Sequence, residues 1–252
     1  MKPTTQPRIS EPSSGCCRVV ELRRYALYRG QRETLIDLFD REFVETQEAV
    51  GMSVLGQFRD LDDPNSFVWV RGFGDMKTRK QALEAFYGGP VWKQHAHAAN
   101  ATMIDSDNVL LLRPLVDLDF DRSRRAAAGS TVDPPGLLAV TIWPLARATA
   151  SEVPGLFTRE LEPVLDRAGI SVLATYVTEQ SENTFPGLPV RENENVLVWM
   201  SMFEDERDHS RHIRSLDHSA AWRDASQALT QYLDAAEEVL RLRPTARSAL
   251  HA

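Results

Sequence analysis

The sequence predicts an α+β fold: two tandem βαββαβ units, each a four-stranded antiparallel sheet with helices on one face, closing on each other as one eight-stranded barrel. The first observation is an internal repeat. Gly51-Met-Ser-Val-Leu55 recurs as Gly169-Ile-Ser-Val-Leu173, with Tyr25 falling on Trp143, Phe39 on Phe157 and Glu42 on Glu160, all at an offset of 118. Further along the offset is 130: Phe67-Val-Trp69 falls on Leu197-Val-Trp199, Trp92 on Trp222, and Val109-Leu-Leu-Leu-Arg-Pro114 on Val239-Leu-Arg-Leu-Arg-Pro244. The second observation is that both copies show the same order of strand and helix patterns. The third is physical: a sheet covered by helices on one face leaves the other bare, and a second copy in the same chain can cover it.

The elements follow from periodicity and punctuation. Residues 19–27 alternate as a strand, and 32–49 place Leu35, Leu38, Phe39 and Phe43 near helical spacing. Residues 52–59 form a strand, Asp62-Asp-Pro-Asn65 turns the chain, and 67–73 form the next strand. Helices over 78–87 and 91–103 are parted by Gly88-Gly-Pro90, and Val109 to Arg113 is the closing strand, stopped by Pro114. The second copy repeats this with strands at 137–143, 170–177, 196–203 and 239–243, and helices at 153–166, 205–216 and 221–238. Its connection over 178–194 is the longer one, by the difference between the two offsets. The expected organisation is an N-terminal tail (1–17), a first domain (18–115), a charged, mobile linker (116–135), a second, degenerate domain (136–244) and a C-terminal tail (245–252).

Composition excludes several functions. The chain has 252 residues and a formal charge of -7, with no long basic run, so a nucleic-acid partner is not expected. The two cysteines, Cys16 and Cys17, are adjacent and cannot staple a core or complete a structural zinc site. No apolar stretch is long enough for a membrane span, so none is expected. Residues 1–15 lack an apolar segment of the secretory kind and read as a loose tail; the expected location is cytoplasmic. There is no GxGxxG, P-loop or G-x-S-x-G motif for nucleotide binding or serine hydrolysis.

Glu21-Leu-Arg-Arg-Tyr25, Gly30, Leu55-Gly56 and Phe58, continued by Trp69, Arg79, Trp92 and the ending Asn108 to Pro114, resemble the NIPSNAP family. The resemblance covers roughly residues 18–115, with a degenerate copy near 136–244. It implies the ferredoxin-like fold of the dimeric α+β barrel superfamily, here formed within one chain. The superfamily includes cofactor-independent monooxygenases of aromatic substrates, heme proteins, isomerases and ligand-binding sensors, so fold does not select a reaction. The second copy departs with Thr141 for Arg23, Trp143 for Tyr25 and Ser201 for Arg71.

Strand parity groups the candidate residues. Phe67, Trp69 and Arg71 share one face, as do Glu21, Arg23 and Tyr25, and as do Gln57 and Arg59. These faces are expected to point into the barrel, with Val68, Val70 and Gly72 toward the helices. Arg23, Tyr25, Arg71 and His95 are the expected catalytic groups. Glu21, Gln57, Arg59, Phe67, Trp69, His97, Arg113, Trp143 and Trp199 are the expected substrate-binding groups. Arginine forks suit an anionic or carbonyl-bearing aromatic ligand, buried arginines can stabilise an enolate, and Tyr25 can hold a carbonyl. The same charges can instead form an ion-pair network bracing the sheet. Trp92 and Trp222 read as packing anchors. His209, His212 and His218, among Asp205, Glu206 and Asp217, read as a solvated helix face, so no metal site is expected.

Two functions stand side by side. One is a cofactor-independent monooxygenase, isomerase or cyclase acting on a small hydrophobic or aromatic metabolite in a barrel pocket. The other is a non-catalytic ligand-binding or scaffolding protein. No cofactor is expected; heme ligation by His95 or His97 is a third reading. A homodimer of two such pseudo-dimeric chains is within the expectation.

Overall fold

The computed structural model describes residues 17–116 and 118–252; most of the expected N-terminal tail, with Cys16, lies outside the described residues. The first repeat runs β1 (Val19–Leu27), α1 (Arg32–Leu38), a π-helical segment (Phe39–Phe43), α2 (Val44–Glu48), β2 (Ser53–Asp60), β3 (Ser66–Phe73), α3 (Met76–Tyr87), α4 (Pro90–Asn100) and β4 (Met103–Val116). The second runs β5 (Leu137–Pro144), α5 (Val153–Leu156), a π-helical segment (Phe157–Leu161), α6 (Glu162–Arg167), β6 (Ala174–Thr178), β7 (Val196–Phe203), α7 (Glu206–Asp217), α8 (Ala220–Thr230) and β8 (Glu238–Pro244). The π-helical segments open at Phe39 and Phe157, α3 and α7 at Met76 and Glu206, and α4 and α8 at Pro90 and Ala220. These pairs keep the two offsets of the sequence repeat, so the duplication extends to irregularities of the backbone. Gly51 and Gly169, an equivalent pair, both carry positive φ in the turn after the preceding helix, a conformation glycine adopts without steric cost.

The strands close into a barrel in the order β1-β3-β2-β8-β5-β7-β6-β4. Each repeat contributes an antiparallel four-stranded sheet of ferredoxin-like order, and the seams between repeats are β2 with β8 and β4 with β6. Closure leaves no unpaired sheet edge among the described residues, so association of two chains through a bare strand edge is not available there.

Three apolar clusters fill the molecule. The barrel interior is packed by one face of the strands, including Val20, Leu22, Val68, Val70, Leu138, Val140, Val198 and Leu242. The second cluster lies between the first repeat's sheet and its helices, and the third lies likewise in the second repeat. This inverts one expectation. Trp69 and Arg71, with Glu21, Arg23 and Tyr25, do share a face, but it is turned toward the helices; Val68 and Val70 point into the barrel. The pocket expected inside the barrel is therefore replaced by a packed core, mostly aliphatic with Phe58 and Tyr176. The physical reason is space: eight strands converging on one axis leave room mainly for Val and Leu with few rings, while the wider sheet-to-helix layer takes most rings and the guanidinium groups.

Other differences are local. The helix expected to reach Glu238 ends at Thr230, because the chain then turns extended: Leu145 and Leu233 form a bridge, and Asp234 N donates to Pro144 O. The stretch 245–250 is buried, with Ser248 Oγ accepting from Gln57 N. The linker, expected to be mobile, is fastened by Arg125, which pairs with Glu48 and donates to Val54 O. No helix among the described residues is long and apolar enough to cross a membrane.

Candidate functional site

In the first repeat, β1 and β3 pair with Glu21 opposite Arg71, Arg23 opposite Trp69 and Tyr25 opposite Phe67. This register gathers the polar side chains under the helices. A third arginine comes from α3. Its N-terminus is fixed by a capping box, with Thr78 N donating to the Asp75 carboxylate and Asp75 N donating to Thr78 Oγ1. Helical spacing then puts Arg79 on the same buried face as Ala82, Leu83 and Phe86.

One carboxylate serves all three arginines. Glu21 Oε2 accepts from Arg23 Nη1 and Arg71 Nε, each at 2.7 Å, and Oε1 accepts from Arg79 Nε at 2.6 Å. All four side chains are 0–1% exposed. Arg71 Nη1 also donates to Gln47 Oε1 at 3.1 Å, and Arg23 Nε donates to Tyr25 Oη at 3.1 Å. Nη2 of Arg71 and of Arg79 has no hydrogen-bond partner among the described residues. Burial alone would raise the Glu21 carboxyl, but Arg71, Arg23 and Arg79 together hold it well below the usual carboxylate range. For Tyr25 burial prevails and raises the phenol, although Arg23 opposes it.

Beside this cluster lies a narrow cleft of about 30 Å³ between the sheet and the helices. Phe39, Phe43, Phe86 and Trp92 wall it, and Tyr25, Trp69 and Gln47 supply its floor. The rings meet edge to face, as aromatic quadrupoles prefer: Phe39 and Trp69 are 4.8 Å apart at 66°, and Tyr25 and Trp69 are 6.0 Å apart at 82°. The Arg71 guanidinium lies 4.9 Å from the Trp69 ring centroid. Arg23 donates to the Tyr25 oxygen, so the phenol's own proton is not used in that bond.

Among the described residues the second repeat has no such cluster. At the matching positions stand Ala139, Thr141, Ser201, Leu165 and His209 in place of Glu21, Arg23, Arg71, Gln47 and Arg79. Trp143, Trp199, Phe157 and Leu229 pack the layer instead. It does supply a cover for the first repeat. From the long connection between β6 and β7, Asn183 Oδ1 and Thr184 Oγ1 accept from Arg79 Nη1 at 3.0 Å and 3.4 Å, and Phe185 stacks on Tyr87 at 5.9 Å. Backbone bonds pin both ends of the loop to β4, Glu179 N to Leu111 O and Arg191 N to Val109 O.

The structure thus brings Glu21, Arg23, Tyr25, Phe67, Trp69 and Arg71 together. It does not bring the rest. Gln57 donates to Asp40 at 3.4 Å, and Arg59 is held by Glu33 and Asp133. His95 stands outside the cleft lining, with Nε2 3.6 Å from Glu42 Oε2, and His97 and Arg113 are exposed. Trp143 and Trp199 belong to the other repeat's core, so no wall is shared across the barrel. No histidine lines the cleft. Among the described residues no group of three His, Cys, Asp or Glu side chains is placed to hold a metal ion. His212 Nδ1 and His218 Nδ1 each contact a backbone carbonyl of their own helix, and His209 packs against Phe203. Sequence reasoning missed Gln47 and, as a site residue, Arg79. The signal was present: each is polar within an apolar helical stripe, Gln47 one turn after Phe43 and Arg79 one turn before Leu83.

Residues 20–118 match the family model for NIPSNAP, so the resemblance in the sequence falls on the first repeat. No curated protein matches the sequence. Among solved structures, a "putative monooxygenase" from Fusobacterium nucleatum is similar over 90% of this chain and 92% of that one, at 10% identity and a TM-score of 0.59. A "putative monooxygenase" from Lactobacillus acidophilus is similar over 91% and 96%, at 9% identity and a TM-score of 0.56. An anthrone oxidase-like protein is similar over 93% and 95%, at 11% identity and a TM-score of 0.57. At such identities these likenesses establish the fold, a tandem α+β barrel, and not the reaction.

Proposed function

We propose that the cleft of the first repeat binds a small ionisable aromatic ketone and that the protein oxidises it with molecular oxygen without a cofactor. One observation carries this reading: the first repeat has an aromatic-walled cleft with Tyr25 in its lining, and Arg23 holds the Tyr25 hydroxyl oxygen. A ring methylene conjugated to a carbonyl loses a proton, and negative charge develops on the carbonyl oxygen. Tyr25 donates to that oxygen, and the amide of Gln47 and the cations behind both residues lower the energy of the charge. The carbanion passes electrons to O₂. The methylene carbon gains one oxygen atom as a new ketone, and the other leaves as water with the two methylene hydrogens. His95, outside the lining with its ring 6.4 Å from that of Phe43, is the base we assign to take the first proton once the wall has moved. Entry of a polycyclic substrate needs the wall to move. Gly88 and Gly89, between α3 and α4, are where Phe86 and Trp92 can shift apart.

The anthrone oxidase-like neighbour suggests the first compounds to try, hydroxylated anthrones. An oxygen electrode should record one O₂ consumed per anthrone turned over. Tyr25→Phe should lower kcat by about 10²–10³-fold, the usual effect of removing an oxyanion donor. A second reading, a carrier without turnover, is favoured by the absence of any carboxylate or imidazole from the cleft lining. Saturable, stoichiometric anthrone binding with no oxygen uptake would establish the carrier and overturn the oxygenase.

A further inference from the structure

Four features of the first repeat's polar cluster point the same way. Three guanidinium groups share one carboxylate, all at 0–1% exposure, so the cluster carries excess positive charge in a place where unpaired charge is costly. The Nη2 atoms of Arg71 and Arg79 have no partner among the described residues. Arg79 Nη1 is satisfied by two neutral oxygens, on Asn183 and Thr184, which come from the other repeat. Those residues sit on the crown of the longer loop. The crown is braced within itself, with Asn183 Nδ2 donating to Leu188 O and Phe185 N donating to Asn183 Oδ1. Its hold on the first repeat is narrow: the two bonds to Arg79, a Thr184 Oγ1 bond to Met76 O at 3.3 Å, and apolar packing led by Phe185 on Tyr87.

From these we infer that Arg79, with Arg71 behind it, is the docking point for an anionic group on the ligand, and that Asn183 and Thr184 occupy that place until the ligand arrives. The inference rests on the reading of the cleft as a ligand site. It adds the charge of the ligand and a composite site to which the second repeat contributes. The chemical class is an aromatic monoanion, a carboxylate or an ionised phenol. Its rings lie in the cleft and its charged oxygens replace the amide and hydroxyl oxygens on the guanidinium fork. Tyr87 lines the cleft and stacks on Phe185, so displacement of the crown opens the cleft rim and the arginine together.

The test uses two probes of the same shape, 2-naphthoate and 2-naphthamide, titrated against the full chain by quenching of tryptophan fluorescence. The wild type should bind naphthoate about tenfold more tightly than naphthamide, since only the anion makes charge-assisted bonds to the fork. Asn183→Ala combined with Thr184→Ala should tighten naphthoate roughly three- to tenfold, because nothing then competes for the fork, and leave naphthamide unchanged. Arg79→Gln should erase the preference. Arg79→Lys, which keeps the buried charge, should retain part of it and covers the case in which the glutamine variant fails to fold. Equal affinity of the wild type for both probes, or a preference that survives Arg79→Gln, overturns the anion docking point and leaves the cleft standing. Failure of both probes to bind at millimolar concentration overturns the cleft reading and this inference with it.

Discussion

Replacing Glu21 by Gln is the sharpest test of how the first repeat is held together. The carboxylate accepts three charge-assisted bonds of 2.6–2.7 Å from three separate arginines, two from strands and one from α3. At an effective dielectric of about 20, each such pair is attracted by roughly 4 kcal/mol, an amount offset in large part by the desolvation of both ions. The loss of Glu21 leaves that desolvation in place. Three guanidinium groups then remain buried with no counter-charge, and the expected cost is about 3–5 kcal/mol. At an m-value of about 3 kcal/mol per molar urea, the midpoint should fall by roughly 1–1.7 M. The pH dependence supplies an independent sign. The folded carboxyl ionises far below its ordinary value of 4.5, so its stabilisation is present above that value and is lost as pH falls below it. Glu21→Gln should remove that part of the acid sensitivity. Replacing Glu21, Arg23, Arg71 and Arg79 together by Leu and Met residues should cost less than Glu21→Gln alone, because no charge is then stranded. A loss below about 1 kcal/mol for Glu21→Gln would refute the reasoning, for it would mean that the arginines are solvated or paired elsewhere.

Other outcomes follow from single contacts. Burial pushes the Asp40 carboxyl up to about 7, with Arg247 opposing, so the folded state holds a proton that the unfolded state has released; wild-type stability should decline between about pH 4 and 7. Asp40→Asn should flatten that part of the profile and raise stability at pH 8 by up to about 4 kcal/mol, measured by urea melts at several pH values. Gly72→Ala should destabilise by about 1–3 kcal/mol in thermal or urea melts, since a methyl group there would lie 2.2 Å from Cys17 Sγ. Phe185→Ala removes the ring stacked on Tyr87 and should increase protease cleavage within 179–191 while leaving the melting of the barrel little changed, because both loop ends stay bonded to β4.

The fold was legible because the repeat and the alternation agree. The offsets that align Tyr25 with Trp143 and Trp69 with Trp199 also align π-helical segments and helix boundaries, features no periodicity argument predicts. The face of each strand was not legible in the same way. In β3 every residue is buried, so alternation carries no polar side to mark solvent, and parity alone cannot say which buried face is the barrel. The distinguishing sign was size and kind: Val68 and Val70 on one face, Phe67, Trp69 and Arg71 on the other. A closed barrel accepts the first set and a helix layer the second. The cover loop shows the other limit. Its extra length was visible in the sequence, but its destination, Arg79 and Tyr87 of the other repeat, is set by the seam between β4 and β6.

That seam, with the one between β2 and β8, has a consequence for biosynthesis. The first repeat is translated complete by Val116, yet the strand that closes the barrel against it ends only at Pro244. At ribosomal rates of roughly 5–20 residues per second, the interval between those two positions is about 6–26 s. Throughout it the nascent half has Val20, Leu22, Val68 and Val70 facing water and open backbone edges on β2 and β4. Such a surface attracts another nascent half as readily as its own partner. Ribosomes closely spaced on one message would therefore favour barrels closed between neighbouring chains, and slower initiation should raise the yield of monomer.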